Sequence, residues 1–396
     1  MVDGSTKVKV LYLDHTAKWS GGEIALYRTL SALDRSVVEP NVLLPMPGEF
    51  ASRLQSVGVT TEIDPIDEKI LEIRKDSLGK RSLRDVGVAS SYIRYSLRIA
   101  KRAKAKKMDL IHCNSLKSDF YGAVAGKIAR VPVVWHVRDY IDSSYLPSKV
   151  ATLFQKFAQK IPNGVITNSK STELGLFPKG AGRQLSRVVY DGLMESELQS
   201  ACPTLFTEWR DAKPKIGLLG RIVAWKGQHV FIDAARELKN RGIEAQYQII
   251  GAPLFGEADY EAKIKKQAEP LGSQMEFLGF RSDVPALLRQ LDILAHCSIS
   301  PEPFGQVVVE GMAEGLPVVA SDGGGVVEII EQGVHGIRTP MGDAVALADA
   351  LQDLLLHPEK ASMLGRSAHA RVREKFTAAH SARGVESFYQ ELLGRK

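Results

Sequence analysis

The chain has 396 residues, of which 44% are hydrophobic and 25% are charged. This composition is ordinary for a soluble globular protein, and the length predicts two domains that each bury their own core. A formal net charge of +6 favours anionic partners, but it does not distinguish phosphates from lipids or nucleic acids.

The cysteines support neither a disulfide framework nor a zinc site, because Cys113, Cys202 and Cys297 are odd in number, widely spaced and without a CxxC pair. The N-terminus enters a strand-like run at Val8 without an apolar signal region. Apolar runs also stay shorter than the ~18 residues that a membrane-spanning helix needs. We therefore expect a cytoplasmic protein, and peripheral contact with the inner face of a membrane stays open.

The first half of the chain alternates apolar runs with helical stretches, which predicts a parallel α/β sheet with right-handed crossovers. The predicted strands are Val8 to Asp14, Val37 to Leu44, Val59 to Ile63, Leu110 to Cys113, Val131 to Val137, Val165 to Thr167, and Val188 with Val189. Because ligands bind beyond the carboxyl ends of such strands, the polar residues that follow them are candidate site residues. They are His15, His112, Asn114, Ser115, His136, Arg138, Asp139, Asn168 and Ser169.

Two of these strand ends carry a more specific signal. After the first strand, Gly21 and Gly22 lead into a helix, and their backbone either lets a phosphate or sugar approach closely or forms a plain tight turn. After the fifth strand, His136, Arg138 and Asp139 place charge at a strand tip, which is typical of a polar ligand site. His136 alone also fits a half-buried histidine whose hydrogen bonds are satisfied.

A basic amphipathic stretch runs from Val86 to Lys107. Its apolar residues recur at helical spacing, and much of the remaining surface is Lys or Arg. One interpretation is a helix of the first domain that lies on an anionic membrane. The other is a solvated helix that packs on its own sheet through a narrow apolar stripe, and the sequence leaves both open.

The second half repeats this architecture without repeating the sequence. The irregular stretch from Ala201 to Pro214 predicts an interdomain linker, with a first domain at residues 1–198 and a second at residues 199–377. Predicted strands of the second domain are Ile216 to Leu219, Gln248 to Ile250, Met275 to Leu278, Ile293 to Ala295, Val318 to Ala320, and Gly336 with Ile337. Helical segments follow at Leu347 to Leu356, Ala361 to Phe376, and Ala378 to Leu393.

Two groups of residues in this half indicate a ligand that carries phosphate and hydroxyl groups. Arg221 and Lys226 follow the first strand, where two cations can neutralise a diphosphate, although a pair of solvated surface charges is the alternative. The stretch from Ser298 to Glu331 places Glu302 and Glu310 on either side of a loop-to-helix transition, followed by three consecutive glycines. Carboxylates accept hydrogen bonds from sugar hydroxyls, and backbone N–H groups at a helix start or glycine loop bind phosphate.

Taken in order, these motifs resemble those of the retaining glycosyltransferases of family 4, which have the GT-B fold. The run GRIVAWKG at Gly220 to Gly227 is similar to the family's diphosphate-binding motif, and EPFGQVVVE at Glu302 to Glu310 is similar to its two-glutamate motif. The glycines after Asp322 and the pair Gly21 and Gly22 are similar to its two glycine loops. The resemblance covers nearly the whole chain.

The resemblance implies two Rossmann-like domains that face each other across a cleft, with a UDP- or GDP-linked sugar in the second and the acceptor in the first. Residues 378–396 would pack back on the first domain. Arg221 and Lys226 would hold the diphosphate, while Glu302 would bind the transferred hexose and Glu310 the ribose. The other expected donor contacts are Gly21, Gly22, Arg281, Phe304, Gly305, Gln306 and Val307.

One departure from the family lies on the acceptor side. The family often shows a histidine followed by aspartate at this strand tip, whereas this chain has Arg138 and Asp139, with His136 two residues before Arg138. Either His136 takes the family's role, or Arg138 does different work, such as binding an acidic acceptor.

The expected activity is retaining hexosyl transfer to a saccharide or lipid-linked acceptor, with Glu302, Arg221, Lys226 and His136 as the predicted catalytic residues. Because the sequence contains no DxD motif, we expect no metal and no other cofactor, so these cations and helix N-termini would stabilise the leaving diphosphate. We expect no nucleic-acid partner. A nucleotide-sugar epimerase with the same fold and a non-catalytic sugar-nucleotide-binding protein are the alternatives.

Overall fold

The computed structural model describes residues 7–67, 86–142, 146–182, 184–198, 205–211, 213–254 and 256–395, so Cys202 and the start of the predicted linker lie outside the described residues. The chain divides into two compact units. Unit 1 comprises the residues up to Met194 together with those from Ala378 onward, and unit 2 runs from Glu195 to Thr377. In the part of the chain that is described, no helix combines the length and apolarity needed to cross a bilayer.

Unit 1 is a parallel sheet with helices on both faces. Its described strands lie in the order β3-β2-β1-β4-β5-β6-β7. The strands are β1 (Val8–Leu13), β2 (Val38–Leu44), β3 (Thr60–Ile63), β4 (Leu110–Cys113), β5 (Val133–Val137), β6 (Gly164–Thr167) and β7 (Leu185–Val188). The helices are α1 (Gly21–Ala32), α2 (Glu49–Ser56), α3 (Val86–Ala105), α4 (Leu116–Ala129), α5 (Ser148–Ala158), α6 (Lys170–Leu176) and the last helix of the chain, α14 (Ala378–Leu393).

The strands of unit 1 are apolar because both faces of the sheet are buried. One core, which includes Ile99 and Trp135, lies between the sheet and helices α3, α4 and α5. The opposite core, which includes Leu30 and Phe388, lies between the sheet and helices α1, α2 and α14. The central strands are paired in parallel, so the residues after their carboxyl ends meet at one edge of the sheet.

Unit 2 has the same design, and its described strands lie in the order β10-β9-β8-β11-β12-β13. The strands are β8 (Lys215–Leu219), β9 (Gln246–Ile250), β10 (Met275–Gly279), β11 (Ile293–His296), β12 (Val318–Ser321) and β13 (Ile337–Thr339). The helices are α7 (Gln228–Asn240), α8 (Ala258–Ala268), α9 (Val284–Leu288), α10 (Gln306–Ala313), α11 (Val326–Ile329), α12 (Ala344–Leu356) and α13 (Pro358–Lys375).

The predicted fold class, two Rossmann-like parallel-sheet domains, is confirmed, but two strands were placed wrongly. Strand β7 begins at Leu185 rather than at Val188, and β13 extends beyond Ile337 to Thr339. Both lie at an edge of their sheet, are mostly half-buried and contain an arginine. A continuous apolar run marks a strand that is buried on both faces, so it does not reveal an edge strand that carries charge.

Candidate functional site

The loop after β8 carries the two predicted diphosphate ligands, Arg221 and Lys226. Its backbone is fixed at Gly227, which has a φ of +70° and where a Cβ would lie under 3.0 Å from the carbonyl oxygen of Cys297. The buried amide of Gln228 also donates a 2.8 Å hydrogen bond to the carbonyl oxygen of Arg221. Both cations therefore stand on a well-defined loop at the carboxyl end of a central strand.

Glu302 is the centre of the site in unit 2. Its Oε1 forms an ion pair with the ammonium group of Lys226 and accepts a 2.6 Å hydrogen bond from Ser298. The Nε2 of His296 lies 3.1 Å from the same oxygen. All three groups contact Oε1. The other carboxylate oxygen, Oε2, has no hydrogen-bonding partner among the described residues. Glu302 can therefore keep its protein contacts and still accept a hydrogen bond from a ligand.

The surroundings of Glu302 keep its carboxylate charged. Burial alone would raise its pKa, but the positive charge of Lys226 and the hydrogen bond with His296 outweigh burial and hold the pKa of Glu302 well below its usual range. The ammonium nitrogen of Lys226 also lies 4.5 Å from the ring centroid of Trp225. The site thus combines a buried anion with a cation that is positioned by an aromatic ring.

The glycine loop after β12 packs directly on the backbone of Glu302. Gly324 pairs with Glu302 in a single parallel bridge, and the N–H of Gly325 donates to the carbonyl oxygen of Glu302 at 2.8 Å. Gly324 has a φ of +68°, and a Cβ at this position would lie under 3.0 Å from the backbone of Glu302. The close approach of these two segments therefore requires glycine, and it fixes where Glu302 stands.

Helix α10 begins where the two-glutamate motif predicted a loop-to-helix transition. Gly305, with a φ of +118°, precedes the helix, and Gln306 and Val307 occupy its first turn. Phe304 is buried just before this turn, and Glu310 lies half-buried one turn further along the helix. The N–H groups at a helix start, together with the positive end of the helix dipole, are suited to bind phosphate.

Arg281, the predicted contact beside the nucleotide base, lies on the loop after β10. Its guanidinium makes two hydrogen bonds with the carboxylate of Asp283, of 2.8 and 2.7 Å, and both side chains are exposed. Arg281 thus pairs with Asp283 and, among the described residues, does not contact Glu302. Its role beside the nucleotide base stays a prediction.

The predicted acceptor-side residues of unit 1 belong to a buried network at the carboxyl edge of the sheet. The guanidinium of Arg138 forms an ion pair with Asp191, and the two side chains are only 7% and 4% exposed. Arg138 Nε also donates to the amide oxygen of Asn114 at 3.1 Å, and the amide of Asn114 donates to Asp14 at 2.7 Å. Asp191 thus already balances the charge of Arg138, for which binding an acidic acceptor was one of the two alternatives.

His136 is buried within the same network. Its Nδ1 lies 3.2 Å from His112 Nε2 and 3.3 Å from Arg138 Nη2, whereas its Nε2 has no partner among the described residues. His112 in turn contacts the hydroxyl of Tyr389 on α14 at 2.7 Å. Burial, followed by the charge of Arg138, lowers the pKa of His136 well below its usual value. His136 is therefore neutral at pH 7, and its Nε2 is a buried ring nitrogen without a partner among the described residues.

Asp139 is half-buried and lies close enough to Asp119 of α4 to affect its titration. Burial, followed by the charge of Asp139, raises the pKa of Asp119 well above its usual value. Both carboxyl oxygens of Asp119 are also without a hydrogen-bonding partner in the described part of the chain. Burial and the charge of Asp139 therefore both favour the neutral form of Asp119, which lies on the buried side of α4.

The glycine turn after β1 leaves the backbone open at Gly22, where a Cβ would meet no atom within 4 Å. Gly21 and Gly22 begin helix α1, and Glu23 follows them in a buried position. Its carboxylate accepts a hydrogen bond from the hydroxyl of Ser20. Burial, followed by the charge of Asp14, raises the pKa of Glu23 to about 7. An acid that is close to half-protonated at neutral pH therefore lies beside the predicted glycine loop.

Asp14, His15 and Glu23 each place a potential ligand atom within 4.8 Å of the others, so their chemistry suits a cation. Asp14, however, already accepts hydrogen bonds from Asn114 at 2.7 Å and from the backbone N–H of His15 at 2.6 Å. These donors satisfy the Asp14 carboxylate without a cation, and we assign no metal to the group.

The raised pKa of Glu23 predicts that unit 1 loses stability as the pH rises. The pKa moves from 4.5 to about 7, so within this window the folded state keeps a proton that the unfolded state releases. Raising the pH through the window should therefore destabilise unit 1 by about 3 kcal/mol. Differential scanning calorimetry should show a higher melting temperature for Glu23→Gln than for wild type at pH 8 but not at pH 4.

The exposed Glu49 on α2 provides the matched control in the same unit. Because the Glu49 side chain is exposed, where an ion pair contributes little to stability, Glu49→Gln should change the melting temperature at pH 8 far less than Glu23→Gln does. A Glu23→Gln protein whose melting temperature follows that of wild type at every pH would contradict the prediction.

Some residues that complete these sites were not singled out from the sequence. His296 contacts Glu302, Asp191 balances Arg138, and Tyr389 contacts the histidine pair. His296 is the last residue of β11, so the rule that ligands bind beyond strand ends could have found it. Asp191 follows β7, the strand whose start was placed wrongly. Tyr389 carries no local signal, because its position on a helix face also fits simple packing.

Two family models match the chain. Residues 206–371 match the model described as glycosyl transferases group 1, and residues 19–193 match the model described as glycosyltransferase family 4. The first match includes the Lys226 and Glu302 cluster, and the second includes the network around Arg138 and His136. Together the two matches span most of both compact units.

The chain is also similar to individual glycosyltransferases and to solved structures. Alpha-D-kanosaminyltransferase of Streptomyces kanamyceticus is 26% identical over 301 residues, which cover 71% of this chain and 76% of that protein. The crystal structure of Anabaena HepE in complex with UDP and glucose has a TM-score of 0.79 and 26% identity, with coverage of 97% of this chain and 99% of that chain. The HepE complex with UDP-glucose has a TM-score of 0.78 and 26% identity, over 98% and 99% of the two chains.

Proposed function

Because the chain belongs to the glycosyltransferases of group 1 and family 4, as its motifs indicated, we propose that it transfers a hexose from a UDP-linked sugar to a saccharide or lipid-linked acceptor. The proposed reaction retains the anomeric configuration and uses no metal ion. The observation that carries the proposal is the contact of Lys226 and His296 with Glu302 at the ends of β8 and β11. A cation can bind a diphosphate, and a charged carboxylate can accept hydrogen bonds from the hydroxyl groups of a sugar.

The proposed reaction breaks the bond between the anomeric carbon and an oxygen of the diphosphate. Negative charge develops on this oxygen, and the charges of Arg221 and Lys226 would stabilise it together with the N–H groups at the start of α10. The acceptor oxygen forms the new bond on the face that the diphosphate leaves. The acceptor proton then passes to the departing phosphate oxygen, so the configuration is retained without a protein base.

Glu302 would bind the hexose rather than act as an acid. A carboxylate whose pKa is held well below its usual range has no proton to donate at pH 7. Since Lys226, Ser298 and His296 all contact Oε1, Oε2 would accept a hydrogen bond from a sugar hydroxyl. Glu310, further along α10, would accept hydrogen bonds from the ribose.

Unit 1 would bind the acceptor, and the side chain best suited to do so is His136. Its neutral imidazole can offer Nε2 to a hydroxyl group, because only Nδ1 is used by the protein among the described residues. Arg138 would position this imidazole through its contact with Nδ1, while Asp191 balances the charge of Arg138. Asp139 stays a candidate for contact with the acceptor.

A thermal-shift series with UDP, GDP and ADP tests the donor site. HepE, aligned over nearly its whole length, was crystallised with UDP and glucose and with UDP-glucose, which supports UDP here. A nucleotide at a hundredfold excess over its Kd stabilises the folded state by about 2.7 kcal/mol. We expect UDP to raise the melting temperature by a few degrees in wild type and much less in Lys226→Ala. A shift with GDP alone would replace UDP by GDP as the donor nucleotide.

Proton NMR of the slow hydrolysis of UDP-glucose, with water as acceptor, tests the chemistry. We expect α-glucose to appear first, at a rate that EDTA does not change. β-Glucose as the first product would exclude retention, and activity that is lost in EDTA and restored by manganese would exclude metal-independent transfer. Conversion of the donor into another UDP-sugar would identify an epimerase, whereas UDP binding without turnover of any donor would identify a binding protein.

A further inference from the structure

Helices α3, α4 and α5 form one continuous outer layer on unit 1. Helix α3 packs on α4 through the rings of Tyr95 and Tyr121, whose centroids lie 5.1 Å apart. Helix α4 packs on α5 through the rings of Phe120 and Phe154, with a centroid distance of 5.7 Å. All three cover the same core, so their outward sides lie next to one another on one face of the unit. We call this the α3–α5 face.

Large apolar side chains are exposed along the α3–α5 face. Ile93 and Leu97, one helical turn apart on α3, are 54% and 49% exposed. On α4, Phe120, Val124 and Ile128 repeat at the spacing of one turn and are 36%, 41% and 37% exposed. Single exposed apolar residues are normal on a protein surface, but stripes on adjacent helices form a patch of the kind that binds a partner or a membrane.

The exposed charged residues on the three helices themselves are all basic in the described part of the chain. The three helices contain a single acidic residue, Asp119, and its side chain is fully buried. Arg98 and Arg102 already form ion pairs with Asp64 at the edge of the face. The exposed lysines that remain are Lys101, Lys104, Lys127, Lys149 and Lys156. Among the described residues of the three helices, exposed lysines thus accompany the apolar stripes and no acid is exposed.

We propose that the α3–α5 face binds the surface of an anionic lipid bilayer, with its apolar stripes in the head-group region and its lysines on lipid phosphates. Apolar area and positive charge together are what interfacial binding requires. A nucleic acid would match the lysines but not the aliphatic side chains. A second copy of this face would bring lysine against lysine, which opposes self-association. Lipid phosphate is therefore the partner that the charges and the apolar residues both favour.

Co-sedimentation with vesicles tests the proposal. The full chain should bind vesicles of phosphatidylcholine with 30 mol% phosphatidylglycerol and should not bind vesicles of phosphatidylcholine alone. Lys101→Glu combined with Lys104→Glu should weaken binding roughly tenfold or more. The matched control is Lys263→Glu with Lys266→Glu on α8 of unit 2, which makes the same change in net charge at exposed positions and should bind as wild type does.

A second variant separates the apolar contribution from the charge. Leu97→Ser with Val124→Ser keeps every lysine and should weaken binding at both low and high salt, whereas the charge variant should show its deficit mainly at low salt. The proposal would be overturned if wild type bound neutral vesicles as well as anionic ones, or if the α8 control lost as much binding as the Lys101 and Lys104 variant. So would a sedimentation coefficient showing wild-type dimers that the α3–α5 variants abolish. Because the readout is binding alone, it is independent of whether the proposed transferase activity is correct.

Discussion

Lys226→Ala is expected to lower the kcat of hexosyl transfer by about 10²- to 10³-fold, the usual effect of losing one donor that stabilises developing negative charge. Lys226 stands on the rigid loop after β8, and its ammonium group is fixed between Glu302 and the ring of Trp225. Alanine removes the charge that would lie against the departing phosphate oxygen. Because that interaction strengthens as the bond breaks, kcat should fall far more than KM rises.

The same substitution should also destabilise unit 2 at neutral pH. It leaves the buried carboxylate of Glu302 without the cation that opposes the effect of burial on its pKa. Breaking a buried ion pair by removing one partner costs about 3 kcal/mol or more. A carboxyl group whose pKa is lower in the folded state than in the unfolded state stabilises the fold at pH values above the unfolded-state pKa. This stabilisation is lost as the pH falls. The melting-temperature deficit of Lys226→Ala should therefore be largest at neutral pH and should shrink below about pH 4.

Two further variants separate catalysis from stability. The double variant with Lys226→Ala and Glu302→Gln removes the unpaired charge, so it should recover stability. Its kcat should stay low, because it lacks both the cation and the carboxylate that we propose to bind the hexose. Lys263→Ala, at an exposed position of the same unit, should change neither quantity. If the double variant recovered both stability and kcat, the loss in Lys226→Ala would be an indirect effect of misfolding, and Lys226 would have no role in the transition state.

The parallel sheets could be predicted from the sequence because their strands are buried on both faces. β1 is apolar except at Lys9, and β8 is apolar after Lys215, while the glycines and charges that follow each strand mark the carboxyl edge of the sheet. The location of the proposed donor-site residues at these edges could be predicted for a related reason. Arg221, Lys226, Glu302 and Glu310 lie on loops and helix starts at these edges, where few structural demands explain such residues.

The partners of these residues could not be predicted, because they come from distant parts of the chain. Asp191 is 53 positions from Arg138 in the sequence, and Lys226 is 76 from Glu302. Local patterns report the burial of a position, not the side chain that it meets across a sheet. The interpretation of Arg138 as a cation for an acidic acceptor arose in this way, since nothing near it in sequence reveals the buried carboxylate that balances it.

Gly324→Ala is expected to abolish most of the transfer activity, and Gly333→Ala is not, although both glycines have positive φ angles of +68° and +73°. An alanine in this left-handed region costs about 1–2 kcal/mol at either position. At Gly333 the added Cβ would meet no atom within 4 Å, so the strain should be the whole effect. At Gly324 the Cβ would lie under 3.0 Å from the backbone of Glu302, and one of the two segments must move.

The contacts of Glu302 make such a movement costly for catalysis. Its carboxylate reaches Lys226, Ser298 and His296 from one backbone position, which the bridge to Gly324 holds in place. A shift of about 1 Å in a positioned group commonly costs about 10²-fold in rate. We therefore expect Gly324→Ala to lose about 10²-fold in kcat with UDP-glucose, while Gly333→Ala loses only stability in calorimetry. Equal activity of the two variants would mean that the glycine loop does not determine the position of Glu302.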